Sequence, residues 1–435
     1  LTKEQYELED SKIDQNPEND PSVDWEMKEL EDVADLNPGS INDEGFNFEE
    51  IQYLDISSTG KGFIEELSDY SIEEAPSRAK RTVKTGDTVL SRVRPIREQF
   101  TLVQDPPMNL VVSTGFAVLR AKEGIDEKYL YYAATTPEMI MWMDNHTSGS
   151  AYPAVNLSTL KHAEIPVPSV TTQKKIGEIL HKIDLKIEVN KQINDILEEM
   201  VQVLFKAWFV DFESYEDFKQ SGLGEIPEGF EVCQIGDVCS TRGGGTPSTD
   251  IDDYWGGDNL WLTPKEVTSL NSKIAFDTER KVSDEGLNNS STAIMPEKSV
   301  LLTSRATVGE VVVNREPMGT NQGFICIQPN DRVEPYYLAC LVENKRPEIE
   351  NRASGSTYDE ISQTSFNGIQ VAIPPKEDIE EFEDKVEEIY EDIYTRELEN
   401  RRLEELRDTL LPKLMSGEIR VNDIELDELE VDSEV

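Results

Sequence analysis

The sequence predicts two α+β (α/β-like) globular domains, two copies of one unit, joined by a long antiparallel two-helix coiled coil with a pseudo-twofold internal duplication. Three observations predict it. The first is repetition at a spacing of about 205–210 residues, far beyond the roughly 20–50 of a solenoid unit. Trp25 matches Phe230, Asp32-Val33 matches Asp237-Val238, Ser91-Arg92 matches Ser304-Arg305, and Gly115-Phe116 matches Gly323-Phe324. In the same order, Ser148-Gly149-Ser150 matches Ser354-Gly355-Ser356 and Ile165-Pro166 matches Ile373-Pro374. The second observation is that the copies consist of short β-rich runs broken by Gly, Pro and Asn. The third is a change of apolar period from 2 to about 3.5 where each copy ends.

Residues 1–24 are acidic and lack apolar periodicity, which predicts a loose tail. Residues 25–168 form the first domain, with strands expected at Thr88–Leu90, Leu110–Val112 and Phe116–Leu119 and a helix at Lys128–Ala134. After Pro168 a long helix occupies 169–212, with Ile176, Ile179, Ile183, Asn190, Ile193, Leu197, Met200 and Leu204 at heptad seam positions and Lys186 as a further polar member. A linker at 213–229 leads to the second domain, 230–374. The second long helix, 375–417, carries Ile379, Phe382, Val386, Ile389, Ile393, Asn400, Leu403, Leu410 and Leu414 in its seam, with Arg396 and Arg407 as polar members. Ser416-Gly417 is a helix stop, and 418–435 is a second acidic tail.

Each helix is roughly 37–39 residues and about 55–58 Å long. An amphipathic helix needs a partner for its apolar stripe, and the nearest is its own copy. Packing copy on copy through a pseudo-dyad makes the pair antiparallel and puts the domains at opposite ends of a rod. Asn190 and Asn400 then define the coiled-coil register: partners have residue numbers summing to about 590, so that Leu197 meets Ile393, Leu180 meets Leu410 and the two amides pair. The alternative leaves both amides in water.

The 435 residues include 42 basic and 88 acidic ones, a net charge of −46. Self-repulsion of that size calls for screening, and at molar salt the Debye length falls to about 3 Å. The surface therefore suits a salt-loaded cytoplasm such as a halophile's. The alternative is an acidic protein with charged tails. Cys233, Cys239, Cys326 and Cys340 form no CxxC pair, so neither disulfides nor a zinc site is expected. No apolar run approaches the roughly 20 residues that span a bilayer, which points to a cytoplasmic chain that makes no membrane contact. His146, His162 and His181 are isolated in sequence and are assigned no chemistry.

Catalytic motifs are wanting. Asp105-Pro106-Pro107-Met108 is similar to the D-P-P-[YF] signature of amino methyltransferases, but Met108 stands where an aromatic would stack on the target base. Gly243-Gly244-Gly245-Thr246 lacks the Lys-[ST] of a phosphate-cradling loop. Against the acidic background, Arg78, Lys80, Arg81, Lys84, Arg92, Arg94 and Arg97 are interrupted only by Asp87. Such a segment calls for a polyanion, and double-stranded DNA is the economical choice. In the second copy Arg242, Lys265, Arg280, Lys281, Lys298, Arg305 and Arg315 are more dispersed, among polar side chains suited to phosphates or base edges: Thr303, Ser304, Thr307, Thr320, Asn321 and Gln322. Two other functions stay open: a stand-alone DNA methyltransferase or nuclease, and a coiled-coil scaffold that never meets DNA.

Eight segments, in order, resemble the specificity subunits of type I restriction-modification systems. They are VLFKAWFVDFE (203–213), GLGEIPEGFEV (222–232), GGGTPST (243–249), YWGG (254–257), WLTPKEVT (261–268), GTNQGF (319–324), SGSTYDEIS (354–362) and LLPKLMSGEIRV (410–421). The likeness spans residues 25–421; Phe230 replaces a more usual Trp, and the first domain shares only the duplicated skeleton. The resemblance implies two target recognition domains, each reading half of a split DNA site, with the helices as spacer and as docking platform for two methyltransferase subunits. A separate restriction/translocase subunit would join for cleavage. It implies no catalysis and no cofactor in this chain: adenine methylation, S-adenosylmethionine, ATP and Mg belong to the partners. It also places Arg92–Arg97 and Gly243–Thr249, hence Thr246, at the DNA, and Val203–Phe212 and Leu410–Gly417 against the helices or a methyltransferase.

Overall fold

The computed structural model describes residues 25–149, 152–353 and 359–421. Two compact units emerge, one formed by residues up to Lys186 together with those from Arg402 onward, the other by Ile187–Arg401. The segments 1–24 and 422–435, including nearly all of the expected acidic tails, lie outside the described residues.

In the first unit one four-stranded sheet has the order Ala34–Leu36, Phe116–Ala121, Thr88–Ser91, Phe100–Leu102, every pair antiparallel. A second has the order Ser68–Ser71, Glu50–Leu54, Leu110–Ser113, Ala79–Thr82, with Glu50–Leu54 parallel to Leu110–Ser113. Thr88–Ser91 and Leu110–Ser113 are buried at every position. Burial on both faces explains why they are continuous Val/Leu runs and do not alternate with polar residues. The helix foreseen at Lys128 starts one residue earlier, at Glu127, because the Asp126 carboxylate caps it by accepting from Tyr129 N–H at 3.0 Å.

The second unit has a five-stranded sheet ordered Cys239–Gly243, Phe324–Pro329, Val300–Thr303, Val311–Asn314, Ile274–Ala275. A three-stranded sheet pairs Trp255–Leu262 antiparallel with Arg280–Val282 and parallel with Met318–Thr320. The first four strands of the larger sheet follow the order of the first unit's antiparallel sheet. The smaller sheet likewise has one antiparallel and one parallel neighbour about its central strand, as Glu50–Leu54 has. A short antiparallel pair closes each unit: Glu26–Glu29 with Glu164–Val167, and Glu231–Gln234 with Gln370–Ile373.

The two long helices are Val170–Phe209 and Lys376–Ser416, the second ended by Gly417 in the left-handed conformation at φ +75°. Within the second unit their segments run antiparallel. Asn190 Nδ2 donates to Asn400 Oδ1 and Asn194 Nδ2 to Glu397 Oε1, each at 2.8 Å. Within the first unit Arg407 Nη1 donates to Asp184 Oδ1 at 2.8 Å, and Tyr132 Oη donates to the other oxygen of Asp184 at 2.6 Å.

The seam departs from a strict heptad. Ile176, Ile179, Ile183 and Asn190 are buried, but beyond them the buried positions are Asn194, Val201, Phe205 and Phe209, while Met200 is exposed. On the second helix Tyr390 and Glu397 are buried, and Ile389 is only half-buried. An unsupercoiled helix drifts about 20° per heptad from a 3.5 repeat. In the second unit the helices also serve a core: Phe209 packs edge-on to Tyr337 and Phe382 at 5.1 and 5.3 Å, and Tyr390 stacks on Tyr336 at 4.1 Å. That wider burial shifts the stripe off the two-helix line.

Candidate nucleic-acid interface

In the first unit the basic segment does not act as a block. The strand Ala79–Thr82 and the strand Thr88–Ser91 bring Arg78 and Arg92 to either side of one turn: Thr114 N–H donates to Arg78 O at 2.8 Å, and Arg92 N–H to Gly115 O at 3.0 Å. Arg81 is close enough to Arg92 for their like charges, after burial, to lower the Arg92 pKa. Lys84 sits in the turn at the far end of Thr88–Ser91 from the arginine loop, beside the buried Asp87, which accepts its backbone N–H at 2.8 Å. Lys80 alternates with Arg81 along the strand and points to the other face.

These arginines differ in what they can offer a ligand. Arg92 spends its guanidinium on the fold, donating to the carbonyls of Thr114 at 2.7 Å, Val155 at 3.2 Å and Phe116 at 3.5 Å. Arg78 pairs with Asp55 at 3.2 Å but is exposed. Asp87, the one acid of the segment, is neutralised by a two-pronged contact from Arg120 at 2.7 and 2.8 Å, so it subtracts nothing from the surrounding positive field. The loop after Arg92 is a short 3-10 turn, Pro95–Arg97, flanked by left-handed residues Arg94 (φ +48°) and Glu98 (φ +53°). Arg94 is anchored through its N–H to Pro153 O at 2.9 Å, and its guanidinium lies 5.6 Å from the centre of the Tyr152 ring. Ile96 and Arg97 are exposed at the tip.

In the second unit, residues far apart in sequence converge. Gly245 N–H donates to Thr320 O at 2.8 Å, Thr246 Oγ1 to Gln322 Oε1 at 2.6 Å, and Ser304 N–H to Gly323 O at 2.7 Å. Gly244 has to be glycine: a Cβ there would lie 1.9 Å from Asn321 O. Pro264 packs on Gly323, and Thr263 caps its short helix through a reciprocal box with Glu266, which leaves Lys265 exposed beside the turn. Asn321 Oδ1 accepts the Gly323 N–H at 2.8 Å. Arg305 and Thr307 are exposed on the adjoining loop, where Ala306 takes φ +67° and Arg305 approaches Glu360 at 3.8 Å. Arg242 is exposed at the end of its strand. Among the described residues Lys84, Arg97, Arg242 and Lys265 make no ion pair. In a chain of 88 acidic residues those four positive side chains are open to an anion.

Other titratable groups have structural explanations. Burial pushes the thiols of Cys239 and Cys326 up to about 12 and about 11, which makes them poor nucleophiles. Glu29, Glu31 and His162 lie within reach of one cation, but on the surface, where Lys161 is 3.6 Å from Glu31 and Glu29 holds the imidazole at 2.9 Å and raises its pKa. Among the described residues no helix is long and apolar enough to cross a membrane. Sequence reasoning missed the structural commitment of Arg92 and the aromatic setting of Arg280, whose guanidinium carbon lies over the rings of Trp255 and Trp261. The YWGG and WLTPKEVT segments carried a signal for the second, since both tryptophans lie in them.

The family described as Type I restriction modification DNA specificity domain matches residues 22–199 and again 227–408. The Type I restriction enzyme HindI specificity subunit of Haemophilus influenzae is 28% identical over 80% of this chain and 90% of its own length. The Type I restriction enzyme MjaIX specificity subunit of Methanocaldococcus jannaschii is 26% identical over 92% and 95%. A solved structure, the Type-I restriction-modification system S subunit from M. genitalium, is similar in fold with a TM-score of 0.56 at 15% identity, covering 92% of this chain and 98% of that one.

Proposed function

Because the chain belongs to the type I restriction-modification DNA specificity family and is a specificity subunit, noncatalytic like its homologues, we propose that residues 25–168 and 230–374 each read one half of an asymmetric bipartite site in double-stranded DNA. In the first domain the exposed Arg78 and Arg97 and the half-buried Arg81 and Arg94 meet the phosphates, with Arg92 bracing the loop that carries Arg94 and Arg97, and with Lys80, on the other strand face, and Lys84 acting at a distance. In the second, Arg242, Lys265 and Arg305 position the duplex while Thr246, Thr307, Asn321 and Gln322 face base edges. One observation carries this assignment: loops from four stretches of the second domain converge and leave Arg242 and Lys265 without a carboxylate partner among the described residues.

The two long helices are a coiled coil produced by internal duplication. They serve as spacer and as platform for two methyltransferase subunits, with a restriction/translocase subunit joining for cleavage. S-adenosylmethionine, ATP and Mg are used by those partners in the cytoplasm. The common strand order of the two units and the antiparallel amide contacts support the duplication and the pairing. The charge of −46 supports a salt-loaded, halophile-like setting. There phosphate contacts weaken with a log-log slope of about −0.9 each, so base-edge contacts and the linked second half-site supply most of the affinity. Sequence-specific binding is thus expected to persist at molar KCl while non-specific binding disappears.

The test is to express the full chain with a type I methyltransferase partner and map methylated adenines across a genome. A split, asymmetric motif is expected. Methylation at a single contiguous motif, or none in a complex that assembles, overturns the proposal.

A further inference from the structure

Beside the convergent loops of the second unit lies an arginine set on an aromatic platform. The Arg280 guanidinium carbon is 3.6 Å from the centre of the Trp255 ring and 5.7 Å from that of Trp261. The two indoles meet edge to face at 4.9 Å. Both are fastened to the glycine-rich loop: Trp255 Nε1 donates to Ser248 O at 3.1 Å, and Trp261 Nε1 to Gly245 O at 3.0 Å. Arg280 is exposed and makes no ion pair among the described residues, while the nearby Asp277 is already engaged by Lys281 at 3.5 Å and Arg401 at 2.7 Å.

A guanidinium whose central carbon sits 3.6 Å over an indole centre is covered on one side by the ring and can still donate through its N–H edge. That edge matches two acceptors side by side, and the stack fixes the side chain before any ligand arrives, so less rotamer freedom is lost on binding. The O6 and N7 atoms of guanine in the major groove are such a pair of acceptors. A phosphate would also accept from it, but in concentrated salt a phosphate contact contributes little affinity.

Resting on the DNA-recognition function above, we propose that Arg280 is a specificity-determining residue that reads a guanine in the half-site recognised by residues 230–374, with Trp255 as its positioning residue. The platform ties that reading head to the Gly245–Ser248 loop, so loop and arginine engage the half-site together.

The test compares methylation motifs of the wild-type complex with those of Arg280→Gln, Arg280→Lys and Trp255→Leu, with thermal unfolding measured alongside. Arg280→Gln and Arg280→Lys are expected to lose discrimination at a single G·C position of one half-site by about 5- to 150-fold, the value of a bidentate contact, with the other half unchanged. Trp255→Leu is expected to relax the same position less. Lysine keeps the charge without the fork, so an unchanged motif in Arg280→Lys overturns the inference, as does a uniform loss in Arg280→Gln that lysine restores. If wild-type protein yields no split motif, the functional proposal fails first. If it does and Arg280→Gln leaves the motif intact, only the arginine assignment fails.

Discussion

Replacing Asn190 with leucine probes the pairing of the long helices at a buried amide contact. Asn190 and Asn400 are 0% and 2% exposed, joined Nδ2 to Oδ1 at 2.8 Å, and Asn190 also donates to Glu399 at 2.8 Å. In Asn190→Leu the Asn400 side chain loses its hydrogen bond, and its Nδ2 already has no partner among the described residues. A buried amide left wholly unpaired costs about 1–3 kcal/mol. The double variant Asn190→Leu/Asn400→Leu removes both amides and places two apolar side chains in the seam. It is expected to recover most of the loss or exceed wild type, a coupling of about 1 kcal/mol or more, while specifying register less strictly. Urea unfolding of the full chain, followed by circular dichroism across the four-member cycle, reads this as midpoint shifts at constant slope. Additive effects of the two substitutions, or no effect of Asn190→Leu, would refute the reasoning.

Three further outcomes follow from particular contacts. Arg407→Met strands Asp184, whose other oxygen accepts from Tyr132; with the arginine side chain only 16% exposed, unfolding should show a loss of about 3 kcal/mol, largely rescued by adding Asp184→Asn. Burial raises the Glu198 carboxyl from 4.5 to about 7, against the pull of the Lys273 backbone N–H and ammonium. The folded state therefore holds a proton that the unfolded chain releases, so this group's contribution is full below pH 4.5 and is lost as pH rises through 7; Glu198→Gln should flatten that part of the stability profile. Gly244→Ala drives a Cβ against Asn321 O and Thr320 O, at 1.9 and 2.6 Å, and should cost about 1–3 kcal/mol of stability and impair recognition of one half-site only, as read from the methylation motif.

Much of the fold was legible because it rests on local periodicity. Val/Leu runs mark strands buried on both faces, and Ile176, Ile179 and Ile183 mark a helix stripe, since burial selects for apolar residues at the period of the element. The later seam was less legible. Tyr390 and Glu397 are buried by neighbours the heptad does not anticipate, among them the ring of Tyr336 and the amide of Asn194. Glu383 is similar: it looks like a surface acid, yet it accepts the N–H groups of Tyr336 and Tyr337 at 3.0 and 2.9 Å, capping a helix that starts nearly fifty positions earlier. The candidate interface was the hardest part to read. Composition marks Arg92 and Arg97 alike, but only the fold shows the first bound to carbonyls and the second exposed. Arg280 gains its interest from Trp255 twenty-five positions away.

The most direct test of two independent reading heads is the methylation motif of a chain whose residues 230–374 are exchanged for the matching segment of another specificity subunit, co-expressed with the same methyltransferase. One half of the motif should change to that of the donor, while the other half stays as in the parent. A motif altered in both halves, or in neither, would contradict the division of recognition between the two domains.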